Sequence, residues 1–235
     1  MKALLVLLLL ASPLFAAKPN VLFLFADAFS YEAVRAYGNK DIDTPNLDRL
    51  AARGTTFTRA YNMGSWSCAV CVASRTMLIS GRSVWSANKI HKTTDAERQA
   101  GVLWLQLMKK AGYKTYMTGK WHIETDAAKC FDVTRDVRAG MPKTVASSYN
   151  RPIAGQPDAW SPFDKSLGGF WEGGTHWSEV VSNHTLDFLA DAKQGSDPFF
   201  IYAAFNAPHD PRQAPKEFVD RYSLSRIAMP ANFLP

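Results

Sequence analysis

The sequence predicts an α/β protein with a mostly parallel central sheet and helices on both faces. Three observations carry this. Short apolar stretches alternate with segments of helical periodicity, the order expected when helices cover a parallel sheet. The first stretch, Val21–Ala26, is apolar at every position and too short for a helix, which reads as a central strand buried on both faces. Three times, moreover, a strand runs out into residues able to bind a metal or move protons: Asp27, Gly119-Lys120-Trp121-His122 and Asn206-Ala207-Pro208-His209. In open α/β sheets, ligands bind beyond the carboxyl ends of the strands.

Composition narrows the class further. A chain of 235 residues can form one large domain or two small ones with a sizeable core. With 47% hydrophobic and 20% charged residues it is not a disordered tail, a collagen-like fibre or a multi-span membrane protein. The net charge of +6 suits an anionic substrate, while no run of Lys or Arg argues for nucleic acid. Three cysteines are too few for a disulfide scaffold.

Met1–Ala17 begins with Lys2, continues through the apolar run Ala3–Ala11 and ends in the small pair Ala16-Ala17. That is the pattern of an export signal cut after Ala16 or Ala17, and it predicts a periplasmic or secreted protein. A spanning helix needs about twenty apolar residues, and Lys18-Pro19-Asn20 closes this run too early for a stable membrane anchor. A buried N-terminal helix is the alternative. Export would also permit Cys68 and Cys130 to pair.

The remaining elements follow in order. Thr44-Pro45 supplies an N-cap and a first-turn proline for a helix with Leu47, Leu50 and Ala51 on its inner face and Gly54 as its stop. The stretch running into Thr76–Ser80 is a short helix stopped by Gly81-Arg82, with Cys71 at or just before its N-terminus. Thr94-Asp95-Ala96-Glu97 is a capping box for one helix carrying Ala100, Leu103, Trp104, Leu107, Met108 and Ala111 and ending at Gly112. Tyr113–Thr118 is a strand, Ser178–Ala192 a helix with Val181, Phe188, Leu189 and Ala192 inward, and Phe199–Phe205 a further strand. Phe131–Gly174, rich in Pro and Gly and poor in periodicity, reads as a long excursion lining a substrate mouth. His176 lies near that mouth, and neither it, His91 nor His184 is given a catalytic role. Asn183-His184-Thr185 fits a glycosylation pattern but falls on a predicted helix and decides nothing.

The most informative stretch is Ser65–Arg82. Cys71 falls at a helix N-terminus with Arg75 one turn on, so the helix dipole and the guanidinium both favour negative charge there. A buried structural thiol is one reading. A Cys68/Cys71 redox pair is another, although no βαβ pattern of thioredoxin type surrounds it.

A third reading is a resemblance. Cys71-Val72-Ala73-Ser74-Arg75, with Leu78 and Gly81-Arg82, resembles the signature of the sulfatase family. Four further blocks agree in order: Lys18–Asp27, Tyr37-Gly38-Asn39 through Leu50, Gly112-Tyr113 through His122, and Pro198 through His209. Together they cover nearly all of the chain beyond its signal. The resemblance implies an alkaline phosphatase-like αβα sandwich, with 18–235 as the N-terminal part of the catalytic domain, its C-terminal part missing. It implies hydrolysis of sulfate esters, plausibly on a sulfated small molecule or glycan. In this chemistry a maturase oxidises Cys71 to formylglycine, whose hydrate attacks sulfur through one hydroxyl and ejects sulfate through the other. By position, Asp27 and Cys71 would ligate Ca²⁺ or Mg²⁺, and Arg75 would hold the hydrate. Lys120 and His209 would contact the sulfate, and His122 would accept the proton that triggers its release.

The sequence departs from that pattern in three places. Ala28 stands where the family usually has a second aspartate. Nothing after His209 resembles the Asp-Asn pair and the additional lysine of the family, since Lys216, Asp220 and Asn232 are isolated. Only Asp27 of four protein metal ligands is therefore present, and a free sheet edge is expected. Ala73 replaces the commoner proline, which suits the anaerobic radical type of maturase. A truncated, non-catalytic homologue that binds sulfated ligands, and a phosphate or phosphonate ester hydrolase of the same superfamily, are the competing readings.

Overall fold

The computed structural model describes residues 17–67, 70–138, 140, 153–158, 160–165, 171–210, 213–229 and 232–233. The predicted signal segment up to Ala16, Cys68 and much of the predicted excursion lie outside them.

Four strands form the main sheet: β1 (Val21–Phe25), β2 (Lys114–Lys120), β3 (Val133–Arg138) and β6 (Phe199–Ala204). They lie in the order β1-β6-β2-β3 and every pairing is parallel. A separate antiparallel pair, β4 (Trp171–Glu172) and β5 (Thr175–His176), precedes the long helix α6 (Trp177–Ala192). The other helices are α1 (Pro45–Arg53), α2 (Cys71–Ser80), α3 (Val84–Ile90), α4 (Thr94–Gln99), α5 (Trp104–Lys110) and α7 (Lys216–Val219).

Alternation along β6 divides the core into two halves, because successive strand side chains point to opposite faces. Phe200, Tyr202 and Ala204 face one side, where Ile79 of α2, Leu105 of α5, Met117, Trp121 and Phe131 close over them. Ile201 and Ala203 face the other side, against Val181 and Phe188 of α6. The predicted sheet with helices on both faces is therefore present.

The strand predicted to be central is not. β1 pairs only with β6 among the described residues, so it is an edge strand there. Val21, Phe23 and Phe25 face the core, while Leu22 and Leu24 are 43% and 51% exposed. Helix α6 packs across β6 and β2, which leaves that face of β1 uncovered. Among the described strands, β6 (Phe199–Ala204) and β2 are the ones paired on both sides.

Other expectations are corrected by backbone geometry. The single helix predicted from Thr94 to Ala111 is two, because Gly101 takes φ +72° and turns the chain between α4 and α5. The capping box does not form: Thr93 is the N-cap, and the Thr94 hydroxyl instead accepts from the Thr125 amide at 3.2 Å. Helix α1 starts at Pro45 as predicted, but it has no buried residue, and Leu50 on its predicted inner face is exposed. The Phe131–Gly174 excursion opens with β3, which its charged residues (Arg135, Asp136, Arg138) concealed. Cys130 is a free thiol buried in the core rather than half of a disulfide.

Candidate active site

At the end of β2 the pairing register shifts between Thr118 and Gly119, with Asp136 of β3 passed over at φ +43°. Gly119 is required at that point: its φ is +95°, and a Cβ there would stand 2.0 Å from the Ala204 carbonyl oxygen. The tight passage lets β2 finish with Lys120 fully buried inside the sheet edge.

Lys120 meets two groups there. Its ammonium ion-pairs with Oδ2 of Asp27, the residue that follows β1 by two positions, and donates to the Cys71 sulfur at 3.2 Å. Cys71 is the first residue of α2, and its thiol reaches Asp27 Oδ1 at 3.6 Å. One turn along α2, Arg75 is 1% exposed. Its guanidinium donates to Asp27 Oδ2 at 3.2 Å, to the Lys120 carbonyl at 2.5 Å and to the Tyr202 hydroxyl at 3.2 Å, and it lies 5.1 Å from the centre of the Phe25 ring. Two buried cations thus share the Asp27 carboxylate where helix α2 and the strand ends converge.

The two histidines complete the group. His122 follows β2 with φ +53° and lies against Gly140; its buried Nδ1 has no hydrogen-bond partner among the described residues. Burial, then Lys120 and Arg75, pull its pKa below the usual 6.5, so it is neutral at pH 7. His209 follows β6, its amide donating to the Asn206 carbonyl at 3.0 Å and its Nδ1 to the Asp210 carbonyl at 2.9 Å. It stands close enough to act electrostatically on both Asp27 and His122. Burial raises the Asp27 pKa, but Lys120, Arg75 and His209 outweigh it and hold the carboxyl below its ordinary range. Asp27, Cys71, Arg75 and Lys120 are therefore in direct contact, with His122 and His209 within electrostatic reach, at the carboxyl edge of the parallel sheet.

Sequence reasoning did not single out Tyr202, Phe25 or Gly119. The first two read as ordinary strand hydrophobics; only their position beside a buried guanidinium gives them a role. Gly119 sat inside a quoted block but had no stated reason until the close approach to Ala204.

The described residues do not make a site for a divalent cation. Ca²⁺ takes about six to eight oxygens. Asp27 is one carboxylate already engaged by two cations, Cys71 adds a sulfur, Ala28 adds nothing, and no group of three or more His, Cys, Asp or Glu side chains converges among the described residues.

Residues 19–230 match the sulfatase family model. The chain is 28% identical over 222 residues to N-acetylgalactosamine-6-sulfatase of Rattus norvegicus, covering 86% of this chain and 41% of that protein. It is 26% identical to an arylsulfatase of Clostridium perfringens, covering 91% and 48%. Among solved structures, Ps i-CgsB, which has also been crystallised with k-i-k-neocarrahexaose, superposes with TM-score 0.64 at 26% identity, covering 87% of this chain and 48% of that one. A phosphonate monoester hydrolase of Agrobacterium radiobacter shares the fold at TM-score 0.58 and 18% identity. The chain spans less than half the length of these relatives. With its family model matched almost end to end, its parallel αβα sheet and its signature cysteine at the head of α2, the chain belongs to the sulfatase family.

Proposed function

We propose that this chain carries the nucleophile-bearing portion of a sulfate ester hydrolase acting on a sulfated carbohydrate. The observation that carries the proposal is the environment of Cys71: at a helix N-terminus, 3.2 Å from the Lys120 ammonium and 3.6 Å from the Asp27 carboxylate. Sulfatases use a formylglycine and a divalent metal, and the relatives named above act, by their names, on sulfated sugars or aryl sulfates. Formylglycine made from Cys71 supplies, as its hydrate, a hydroxyl to attack sulfur and a second whose deprotonation releases sulfate. The polar cage around Cys71 fits that group, since Lys120 can donate to its oxygens as it now does to sulfur.

The other side chains have separable tasks. Arg75 is fixed by Asp27, the Lys120 carbonyl and Tyr202, so it offers an immobile positive charge beneath residue 71 and needs little reorganisation when charge develops. Lys120 and His209 bind the sulfate oxygens. His122, neutral and with an open Nδ1, accepts the proton whose departure frees sulfate. Asp27 orients Lys120 and Arg75; as a single carboxylate it does not hold Ca²⁺ or Mg²⁺ by itself, and no step is assigned to the metal. We place the protein in the periplasm or outside the cell, on the basis of its leader; no helix of the described residues is long and apolar enough to cross a membrane.

Co-expression with an anaerobic radical maturase, followed by mass spectrometry of the peptide containing Cys71, tests the proposal. An aldehyde at position 71 together with turnover of an aryl sulfate is expected. A thiol alone, with no turnover, rejects it. A second reading, a non-catalytic binder of sulfated ligands, is favoured by Ala28 and the sparse donor set; measurable turnover by the 235-residue chain ends it.

A further inference from the structure

Beside His209 opens a cleft of about 700 Å³, between the first turn of α6 and residues 207–209 and 213–218. Its volume lies within the roughly 300–1,000 Å³ typical of small-ligand sites. The inner wall is fixed rather than loose. Buried His176 caps α6, its Nδ1 accepting from the Ser178 amide at 3.3 Å, and it also hydrogen-bonds the Gln213 backbone, which ties the incoming segment to the helix. Burial lowers the His176 pKa against the pull of Gln213, Glu179 and Glu217, so this wall presents an uncharged imidazole.

The charges change sign across His209. On its inner side stand the cations Arg75 and Lys120, both ion-paired with Asp27. On its outer side the rim carries Glu179 and Glu217, both near enough to act on His176 and neither in an ion pair among the described residues. Lys216, next to Glu217, does not neutralise them: its ammonium lies 2.7 Å from both Asp220 oxygens and over the Phe163 ring. Phe218, 49% exposed, offers an apolar face at the same rim.

Carboxylates that accept from vicinal hydroxyls, with an aromatic ring beside them, suit a sugar. The same carboxylates repel any further sulfate or carboxylate. We infer that the cleft walled by His176 and Gln213 and rimmed by Glu179, Glu217 and Phe218 is the subsite for the alcohol half of the ester. It takes a sugar ring whose only negative charge is the sulfate delivered to Lys120 and His209. This rests on the sulfate-ester reading above and adds to it which sugars are accepted.

Binding of three probes to the chain with labelled histidines tests it by NMR: inorganic sulfate, galactose 6-sulfate and galactose 2,6-disulfate. Inorganic sulfate is expected to shift His209 and leave His176 in place. Galactose 6-sulfate shifts both, and the disulfate binds about tenfold more weakly than the monosulfate. The surface double variant E179Q/E217Q then removes most of that tenfold preference and leaves the affinity for inorganic sulfate unchanged. If galactose 6-sulfate moves His209 but not His176, or the double variant keeps the preference intact, the subsite is wrong while sulfate binding stands. If no probe moves His209, the sulfate-ester reading fails and the subsite falls with it.

Discussion

Lys120 Nζ stands 3.2 Å from the Cys71 sulfur while it ion-pairs with Asp27, so one buried ammonium joins the end of β2 to the start of α2. Arg75 leans on the same Asp27 carboxylate. The two sides of the pair are therefore unequal. Asp27→Asn takes the shared carboxylate from two buried cations and is expected to cost about 3–5 kcal/mol, the usual penalty for breaking a buried pair from one side. Lys120→Met leaves Asp27 with Arg75 and is expected to cost less than about 2 kcal/mol. Urea denaturation of both variants checks the order; equal losses would show that Asp27 is not shared.

His122 provides a pH signature. Its folded pKa is below 6.5, burial first and the neighbouring cations second. A histidine with a depressed pKa contributes stability above pH 6.5, where it is neutral in both states, and that contribution is lost as pH falls through the folded pKa. The imidazole resonances of His122 should titrate with a midpoint below 6.5, and Lys120→Met should move the midpoint upward because one repelling charge is gone. Sulfate bound nearby should act in the same direction. A midpoint at or above 6.5, unmoved by Lys120→Met, would remove the basis for a neutral proton acceptor at pH 7.

The site was more legible in the sequence than the sheet was. Asp27, Lys120, His122 and His209 are polar residues placed where an apolar strand ends, and such interruptions stand out, while Cys71 and Arg75 are marked by their spacing in the signature stretch. Strand position is a different matter. Val21–Phe25 and Phe199–Ala204 are both apolar runs, and whether a run is central or at an edge depends on which strands hydrogen-bond on either side of it, which no local pattern records. β3 was missed for the opposite reason: Arg135 and Asp136 face outward to Asp187 and His184 at 2.7 and 2.6 Å, so its surface chemistry hid its pairing. Tyr202 shows the limit of residue-by-residue reading, since nothing in Phe-Phe-Ile-Tyr-Ala-Ala says that its hydroxyl meets a guanidinium.

That hydroxyl is testable. Burial, opposed by Arg75, pushes the Tyr202 pKa up to about 12, so the phenol stays protonated throughout the range in which the protein works. Tyr202→Phe removes an acceptor from buried Arg75 without changing shape, and the expected loss is about 1–3 kcal/mol. Thermal denaturation measures it, and ultraviolet titration should show one tyrosine that fails to ionise near pH 10. A variant as stable as the parent would mean that Arg75 is held by Asp27 and the Lys120 carbonyl alone.

Ala28 makes the final case, because its backbone and its side chain point to different remedies. It is an exposed alanine at φ +55°, in the left-handed region that costs a residue with a Cβ roughly 1–2 kcal/mol. Ala28→Gly should therefore stabilise the chain by about 1 kcal/mol, read as a higher thermal midpoint, with no change in response to Ca²⁺. Asp tolerates the left-handed region better than alanine and brings a second carboxylate next to Asp27. Ala28→Asp should then match the parent in stability without metal and rise in melting temperature with added Ca²⁺ or Mg²⁺, since a ligand that binds only the folded state stabilises it. The two substitutions separate strain from coordination. If Ala28→Gly alone shows the metal-dependent rise, or Ala28→Asp shows none, the missing carboxylate is not what keeps a hard cation from this site.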